Sequence, residues 1–323
     1  MKTPWGSGEF RRVLVYGLQR SGTAAAHFLL DRGVEVIGID RKPASELDLG
    51  TLAEIPGFST LASESLALPA GLDGVVVSPG VPLDRPLLQA ARTAGLPVIG
   101  EVELAFPFLG GPAVAITGSN GKSTTTRLAG EMLAASGRDV AVCGNIGTPI
   151  CSVAGTAPGK TFVIELSSFQ IESLVHFRAD AAALLNVAED HLDRYPSFAA
   201  YGDSKRALFR TMLGSESAVL NADDPETLKV ATDARRRTFS RLSRGLDGCY
   251  LEDGSVVEVD PDLGRTELFR VSEVRLAGVH NLENAMAAAL LARALGAGPA
   301  ALSQALARFR GLPHRLERVV EAN

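Results

Sequence analysis

The chain has 323 residues, 46% of them hydrophobic and 21% charged, and this length predicts about two globular domains. The formal net charge of −5 argues against a nucleic-acid partner, and three cysteines without a C-x-x-C spacing are typical of a reducing compartment. Because the sequence has neither an apolar signal segment nor a run of about 18 apolar residues, we predict a cytoplasmic protein without membrane insertion.

The first hundred residues alternate strand and helix patterns, which predicts a Rossmann-like α/β domain with a parallel sheet. Apolar runs at 13–16 and 34–39 are typical of buried strands, and a glycine-containing turn at 17–22 followed by a helix pattern separates them. Asp40 ends the second strand, as in a dinucleotide-binding unit. Gln19 replaces the middle glycine of that fingerprint, however, so NAD and FAD are disfavoured.

Further strand patterns at 74–77 and 97–99 extend the predicted sheet. Because the carboxyl ends of parallel strands meet at one edge, the turn at 17–22, Asp40 and Ser78 should lie along one ligand-binding rim. A helix pattern at 101–109 then leads to a Gly-Gly-Pro break before the second domain.

The strand pattern at 113–116 is followed by a glycine-rich loop and a helix, which together predict a P-loop-type nucleotide site. Backbone N–H groups would converge on phosphate, Lys122 would reach the outer phosphates, and the Ser123 hydroxyl could bind Mg²⁺. The motif departs from its general form, because Ile116 stands where the first glycine is expected. The alternative is a Gly-Ser turn before an amphipathic helix, but that would not explain Lys122 and Ser123 at the start of the helix. The predicted nucleotide-binding residues are Gly118, Ser119, Asn120, Gly121, Lys122, Ser123 and Thr124.

Two later strand patterns end in polar side chains at the same predicted sheet edge. The strand at 161–165 ends in Glu165, and a carboxylate beside a phosphate loop is the usual partner of Mg²⁺. The alternative is a glutamate that only caps the following turn. The strand at 181–187 leads into a loop with three carboxylates and His191, which could bind a metal or hydrogen-bond a substrate.

The remaining sequence continues the α/β pattern. We expect a helix at 201–213 that carries Lys205, then short strands and turns at 238–275, and two final helices at 282–295 and 299–309. The run of three arginines at 235–237 is interpreted as a solvated turn.

Several motifs, taken together and in this order, resemble those of the Mur ligases of peptidoglycan synthesis. Within that family, the Ser-Ser-Phe-Gln form at 167–170 and the Glu-Asp-His-Leu-Asp-Arg-Tyr form at 189–195 resemble the member that adds D-glutamate to UDP-N-acetylmuramoyl-L-alanine. The match extends from about Val13 to the end of the chain, and its central motifs are the more specific ones. The matching segments are residues 117–124, 144–147, 165–172, 186–195, 278–281 and 311–315.

The resemblance implies a fold, a reaction and its substrates. It implies a Rossmann-like UDP-substrate domain at 1–100 and a P-loop ATPase-type domain at 101–311. The implied activity is ATP-dependent amide formation between UDP-N-acetylmuramoyl-L-alanine and D-glutamate through an acyl phosphate. The enzyme is expected to act as a monomer on these small molecules.

The resemblance also assigns roles to the polar residues at the sheet edge. Lys122 would bind the β and γ phosphates, Ser123 and Glu165 would hold one Mg²⁺, and His191 would serve a second. Lys205 aligns with the lysine that the family carbamylates, and the carbamate would support a metal. The alternative for Lys205 is a plain surface lysine.

Substrate and nucleotide contacts are implied in the same way. Asn145 would contact the substrate, while Asn281 and Arg315, the latter flanked by His314, would contact the nucleotide. The UDP moiety would bind at the N-terminal rim, through Ser21, Arg41 or Lys42, and Ser78.

The family also has a third, C-terminal domain, which supplies the amino-acid pocket. Residues 312–323 would only begin that domain, so we expect this chain to bind its substrates without ligating them. Two alternatives stay open on the sequence. One is another ligase of the superfamily, such as a folylpolyglutamate synthase-like enzyme, and the other is a non-catalytic nucleotide-binding module.

Overall fold

The computed structural model describes residues 1, 9–62, 67–156, 158–245, 247–262 and 264–311. The chain divides into two compact units. The first comprises Met1–Gly110, Gly147–Ala157 and Phe169–Phe177, and the second comprises Gly111–Ile146, Pro158–Ser168 and Arg178–Asn323. Both are α/β structures, as the sequence predicts. In the described part of the chain, no helix is both long enough and apolar enough to cross a membrane.

The described residues of the first unit form a five-stranded parallel sheet with the strand order β3-β2-β1-β4-β5. The strands are β1 (Arg12–Tyr16), β2 (Glu35–Ile39), β3 (Phe58–Thr60), β4 (Gly74–Val77) and β5 (Val98–Gly100). The helices are α1 (Arg20–Leu30), α2 (Pro86–Thr93) and α3 (Glu101–Ala105). The apolar runs of β1 and β4 are buried on both faces, as expected for strands of a parallel sheet that helices cover.

The structure corrects the helix predicted at 101–109. Helix α3 ends at Ala105, and a 3₁₀ turn, Phe106–Phe108, follows it. Pro107 has no N–H to donate to the preceding turn, so the α-helical hydrogen-bond pattern cannot continue through it.

The described residues of the second unit form a nine-stranded sheet with the order β14-β13-β12-β11-β10-β9-β6-β8-β7. Its parallel strands are β6 (Ala113–Thr117), β7 (Val140–Gly144), β8 (Thr161–Glu165), β9 (Ala181–Leu184), β10 (Ser217–Asn221), β11 (Arg235–Ser240) and β12 (Gly248–Glu252). Two antiparallel strands complete it, β13 (Ser255–Asp260) and β14 (Gly264–Arg270). The helices that follow α3 are α4 (Lys122–Ala135), α5 (Ser168–Ile171), α6 (Phe198–Arg206), α7 (Val279–Ala294) and α8 (Pro299–Arg308).

The core of the second unit lies between this sheet and the helices α4, α7 and α8. Helix α7 is buried through most of its length and is rich in alanine, so its backbone can approach α4 closely. Helix α6 differs from the helix predicted at 201–213. It begins at Phe198, because the Ser197 hydroxyl accepts a hydrogen bond from the Ala200 N–H, and it ends at Arg206 in a 3₁₀ turn.

The arginine run at 235–237 was wrongly interpreted as a solvated turn. These residues lie in β11, where successive side chains point to opposite faces, so Arg236 is exposed while Arg237 is buried. The Arg237 guanidinium donates a 2.7 Å hydrogen bond to Glu258, which also accepts one of 2.8 Å from Arg293. The buried charges are therefore paired inside the fold, as buried charges require.

Glu101 is a buried carboxyl group at the start of α3 in the first unit. It is 2% exposed, and its Oε1 accepts a 3.0 Å hydrogen bond from the backbone N–H of Cys151. Burial raises the pKa of Glu101 from 4.5 to about 7, although hydrogen bonds from Cys151 and Ser21 oppose the shift. The ionised form is thus less stable in the folded chain than in water.

We predict that Glu101→Gln stabilises the chain at alkaline pH. The folded-state pKa exceeds the unfolded-state value, so the contribution of Glu101 to the stability of the wild type should fall as pH rises from about 4.5 to about 7. The glutamine variant should therefore be the more stable at pH ~8, by on the order of 2 kcal/mol, and no more stable at pH ~4. Urea unfolding at both pH values measures this, with Glu131→Gln on the exposed face of α4 as the control. A wild type that is the more stable at pH ~8 would contradict it.

Candidate functional site

A glycine-rich loop connects β6 to α4, as the sequence predicts. Gly118 and Gly121 have φ angles of 155° and 82°, which residues with a side chain rarely adopt. A Cβ atom at Gly121 would also lie 2.2 Å from Oδ1 of Asn284. Helix α4 begins at Lys122, so the partial positive charge of its N-terminus lies at the loop. Such a loop can bind an anion through backbone N–H groups.

Two lysine side chains converge on one carbonyl oxygen of this loop. Lys122 Nζ donates hydrogen bonds to the carbonyl oxygens of Gly118, at 2.8 Å, and Ser119, at 2.9 Å. Lys205 Nζ, from α6, donates to the same Gly118 oxygen at 2.9 Å. Two ammonium groups on one oxygen repel each other, and an anion bound beside them would offset that repulsion.

Lys205 is not the surface lysine that the sequence left open, because it is only 1% exposed. Its Nζ lies 4.6 Å from the centroid of the Tyr201 ring. Burial lowers the pKa of Lys205 from 10.5 to about 7, and the charge of Lys122 lowers it further, while Asp190 opposes the shift. A large fraction of Lys205 is therefore an uncharged amine at neutral pH.

Glu165 ends β8 directly beside the loop, since it pairs with Ile116 of β6 in the sheet register. It is 1% exposed, and its Oε1 accepts a 2.7 Å hydrogen bond from the side-chain amide of Asn145. Its Oε2 is buried and has no hydrogen-bond partner within the described residues. A buried carboxylate oxygen without a donor is costly, and a cation would compensate it. The residue therefore fits a divalent metal better than a turn-capping role.

A metal ion at Glu165 would need further ligands. Within the described ranges, no three His, Cys, Asp or Glu side chains are grouped as a metal site. Mg²⁺ does not require such a group, because it is usually bound by one or two carboxylates together with substrate phosphates and water. Ser123, buried in the first turn of α4, supplies a hydroxyl at the same loop.

His191 lies in the loop after β9, in a backbone conformation that is unusual for a side-chain-bearing residue. Its φ angle is 52°, and non-glycine residues in this region often occur at functional sites. The side chain is 46% exposed, with Nε2 3.6 Å from Asp190 Oδ2. The ring centroid lies 6.2 Å from that of Tyr201, which in turn contacts Lys205. The role of His191 toward a second metal stays a prediction.

A cavity of about 400 Å³ adjoins the loop. Asn284 lines this cavity and links it to Asn281, a predicted nucleotide contact, because Asn284 Nδ2 donates a 3.2 Å hydrogen bond to Asn281 Oδ1. Thr125 Oγ1 donates to Asn284 Oδ1, also at 3.2 Å. The sequence reasoning missed Asn284, although it lies three residues after Asn281 and thus on the same helix face. Arg315 and His314 lie outside the described residues. The cavity is lined by Asn120, Gly121, Leu185, Asn186, Phe239, His280, Glu283 and Asn284.

Hydrogen bonds bring together the residues that were predicted to lie along one rim of the first unit. Asp40 Oδ2 accepts a 2.7 Å hydrogen bond from the Leu18 N–H. The Ser78 hydroxyl donates to the carbonyl oxygen of Gly17, also at 2.7 Å. The carboxyl ends of β1, β2 and β4 therefore meet at the glycine turn.

The remaining N-terminal candidates surround this turn. Ser21 is half-buried in the first turn of α1, and Arg41 and Lys42 are exposed just after β2. All three are thus accessible at the carboxyl edge of the sheet. Their part in substrate binding stays a prediction.

Family models match both units. The Mur ligase middle domain matches residues 116–292, and the Mur ligase MurD-like N-terminal domain matches residues 11–100.

Curated relatives match almost the whole chain. The UDP-N-acetylmuramoylalanine--D-glutamate ligase of Anaeromyxobacter dehalogenans is 45% identical over 322 residues, which is 96% of this chain and 69% of the relative. The ligases of the same name from Geobacillus kaustophilus and Koribacter versatilis are 41% and 39% identical, over 97% and 95% of this chain and 69% of each relative.

Solved structures share the fold at lower identity. A murein peptide ligase from Psychrobacter arcticus has a TM-score of 0.60 and 19% identity, covering 93% of this chain and 68% of its own. UDP-N-acetylmuramate-alanine ligase MurC from Thermotoga maritima has a TM-score of 0.55 and 21% identity, over 96% and 71%. E. coli FolC, solved with DHPP and ADP, has a TM-score of 0.52 and 20% identity, over only 68% of this chain and 62% of its own.

We predict that Lys205 titrates near pH 7 in the chain without ligands. The ¹³Cε resonance of labelled lysine should give this midpoint in the folded chain and about 10.4 in urea. Lys122→Met should raise the midpoint by removing a neighbouring positive charge, and Asp190→Asn should lower it by removing a negative one. A midpoint above about 9, or one that neither substitution moves, would contradict the environment described here.

Proposed function

The chain belongs to the Mur ligase family, and we propose that it serves the ATP-dependent reaction that joins D-glutamate to UDP-N-acetylmuramoyl-L-alanine in peptidoglycan precursor synthesis. The observation that carries this proposal is 39–45% identity, over nearly all of the chain, to ligases named for that reaction. A folylpolyglutamate synthase-like activity has less support, because the likeness to FolC covers a smaller share of the chain. ATP turnover would separate an enzyme from a nucleotide-binding module.

The reaction brings anions together. A carboxylate oxygen of the UDP-linked substrate attacks the γ-phosphorus of ATP, the bond to the bridging oxygen breaks, and ADP leaves. The amine of D-glutamate then attacks the carbonyl carbon of the acyl phosphate, inorganic phosphate leaves, and the nitrogen loses a proton. A carboxylate and a triphosphate repel each other, so the site needs concentrated positive charge.

The second unit offers this charge at its phosphate loop. Lys122 would exchange the carbonyl oxygens of Gly118 and Ser119 for the β and γ phosphates of ATP. Ser123 and Glu165 would hold one Mg²⁺, and His191 would serve a second. Bound Mg²⁺ would neutralise phosphate charge and orient the triphosphate. The Oε2 of Glu165 supports this assignment, because no hydrogen-bond partner reaches it from the described ranges of the chain.

We propose that Lys205 is carbamylated by carbon dioxide. Its uncharged amine would form an N–C bond with CO₂ and release a proton. The product is an anion in place of an ammonium group, so the repulsion between Lys205 and Lys122 would become an attraction. Burial of the side chain and its shared acceptor with Lys122 support this proposal.

The remaining ligand contacts are assigned to two parts of the sequence, which divide at residue 100. Residues 1–100 would bind the UDP moiety at the rim around Gly17, and residues 101–311 would bind ATP. The enzyme would act as a monomer in the cytoplasm. The proposed UDP contacts are Ser21, Arg41 or Lys42, and Ser78, the proposed substrate contact is Asn145, and the proposed nucleotide contacts are Asn281 and Arg315.

Lys122→Ala should weaken Mg-ATP binding at least ~10-fold, because a charge-assisted contact with phosphate is worth about 1.5–3 kcal/mol. Binding of UDP-N-acetylmuramoyl-L-alanine should not change, because its UDP moiety is assigned to residues 1–100 and Lys122 is assigned only to the phosphates of ATP. Calorimetry with each ligand measures both effects. Lys229→Ala, which removes an exposed lysine, is the matched control. Equal ATP affinity in the wild type and Lys122→Ala would disprove the assignment of the phosphate loop.

Lys205 should give a carbamate ¹³C resonance when the chain is incubated with ¹³CO₂. Lys205→Met should lack that resonance, while Lys229→Ala should retain it. Mg-ATP should increase its intensity if the carbamate supports a metal. An unchanged spectrum in Lys205→Met would assign the signal to another amine and remove the basis of the proposal.

A further inference from the structure

Asn186 lies two residues after β9 and binds the phosphate loop with both its side chain and its backbone. Its Oδ1 accepts a 2.8 Å hydrogen bond from the Asn120 N–H, and its Nδ2 donates to the Asn120 carbonyl oxygen at 3.2 Å. Its own carbonyl oxygen accepts a 3.0 Å hydrogen bond from the Ser119 N–H. The side-chain amide thus pairs with a backbone peptide group as a neighbouring strand would.

The segment that carries Asn186 is itself fixed on both sides. The buried Asn221 side chain donates a 3.0 Å hydrogen bond to the carbonyl oxygen of Leu185. Asp224 Oδ2 accepts one of 2.8 Å from the Val187 N–H. Both partners lie at the carboxyl end of β10 or just after it. The position of Asn186 is therefore set by the sheet before any ligand binds.

The next residue of the segment adds a further connection. The Ser119 hydroxyl donates to the Ala188 carbonyl oxygen at 3.0 Å and lies 2.9 Å from the Ala188 N–H. The Tyr201 hydroxyl is 3.1 Å from the same Ser119 oxygen. Ser119 and Asn120 are consequently held through backbone and side-chain groups together.

The hydrogen bonds to Asn186 determine which backbone N–H groups of the loop can bind a phosphate. The N–H groups of Ser119 and Asn120 point to Asn186 and are not available to an anion. The backbone amides of Gly121 and Ser123 come next, and first-turn amides of a helix have no intrahelical acceptor. Phosphate oxygens should therefore meet the loop from Gly121 onward.

We propose that Asn186 is a positioning residue of the nucleotide site, which holds the first half of the phosphate loop so that its second half receives the phosphates. The inference rests on the proposed ATP-dependent function. Only an amide of this length supplies the acceptor and the donor together: aspartate lacks the donor, and leucine, of similar volume, lacks both.

The test compares Asn186→Leu and Asn186→Asp with the wild type. Calorimetry should show Mg-ATP binding weakened ~10- to 100-fold in Asn186→Leu, as expected for the loss of two hydrogen bonds that order the loop. The affinity for UDP-N-acetylmuramoyl-L-alanine should stay within about twofold. Asn186→Asp should protect the Asn120 amide from hydrogen exchange better than Asn186→Leu, because it keeps the acceptor.

Amide measurements without nucleotide separate positioning from direct contact, since Asn186 also lines the cavity. The Asn120 amide should exchange slowly in the wild type and at least ~10-fold faster in Asn186→Leu. On addition of Mg-ATP to the wild type, the amide resonances of Gly121 and Ser123 should shift more than those of Ser119 and Asn120.

Two outcomes would overturn the proposal. If Asn186→Leu loses ATP affinity while the Asn120 amide stays protected, Asn186 contacts the nucleotide instead of positioning the loop. If the Asn120 amide of the wild type exchanges rapidly before nucleotide is added, the hydrogen bond does not hold the loop, whatever the variants do. A wild type that binds no Mg-ATP but has a protected Asn120 amide would instead contradict the proposed function.

Discussion

The carbonyl oxygen of Gly118 accepts hydrogen bonds from two lysine side chains, and the chemistry proposed for the second unit depends on this shared contact. Lys122 reaches the oxygen from the start of α4, while Lys205 reaches it from α6 and is buried. Two cations held this close are unfavourable unless one loses its proton or an anion binds between them. Burial, and after it the charge of Lys122, lowers the pKa of Lys205 and so favours loss of its proton. A bound triphosphate would supply the anion, and a carbamate on Lys205 would replace one of the two cations. Glu165, buried on the neighbouring strand, adds a carboxylate oxygen that a cation would satisfy.

Each unit stabilises its glycine turn with a side chain from another strand end. In the first unit, Asp40 follows β2 and binds the Leu18 N–H. In the second, Asn186 follows β9 and binds the Asn120 N–H. The two side chains differ in what they offer. Asp40 only accepts, whereas the Asn186 amide accepts from the Asn120 N–H and also donates to the Asn120 carbonyl oxygen.

The sequence predicted the features that depend on neighbouring residues. The strand, glycine loop and helix around Lys122 follow from local spacing, and Glu165 could be placed because a parallel sheet gathers its strand ends at one edge. Burial of Lys205 was not predictable, since it depends on contact with Gly118, 87 residues earlier in the chain. The burial of Arg237 was missed for a related reason: its partner Glu258 lies 21 residues later in the sequence, so a buried ion pair was interpreted as a solvated run of charge.

The central claim is that the paired lysines and Glu165 form a metal–triphosphate site, and diffraction from crystals of the chain grown with Mn²⁺ and a non-hydrolysable ATP analogue tests it most directly. The anomalous signal locates the metal independently of the phosphates. The account predicts a Mn²⁺ peak bonded to Glu165 Oε2 and to a phosphate oxygen, with Lys122 Nζ moved from the Gly118 carbonyl oxygen to the phosphates. A metal and triphosphate bound elsewhere, with Lys122 still on Gly118 and Glu165 bound only to Asn145, would contradict it.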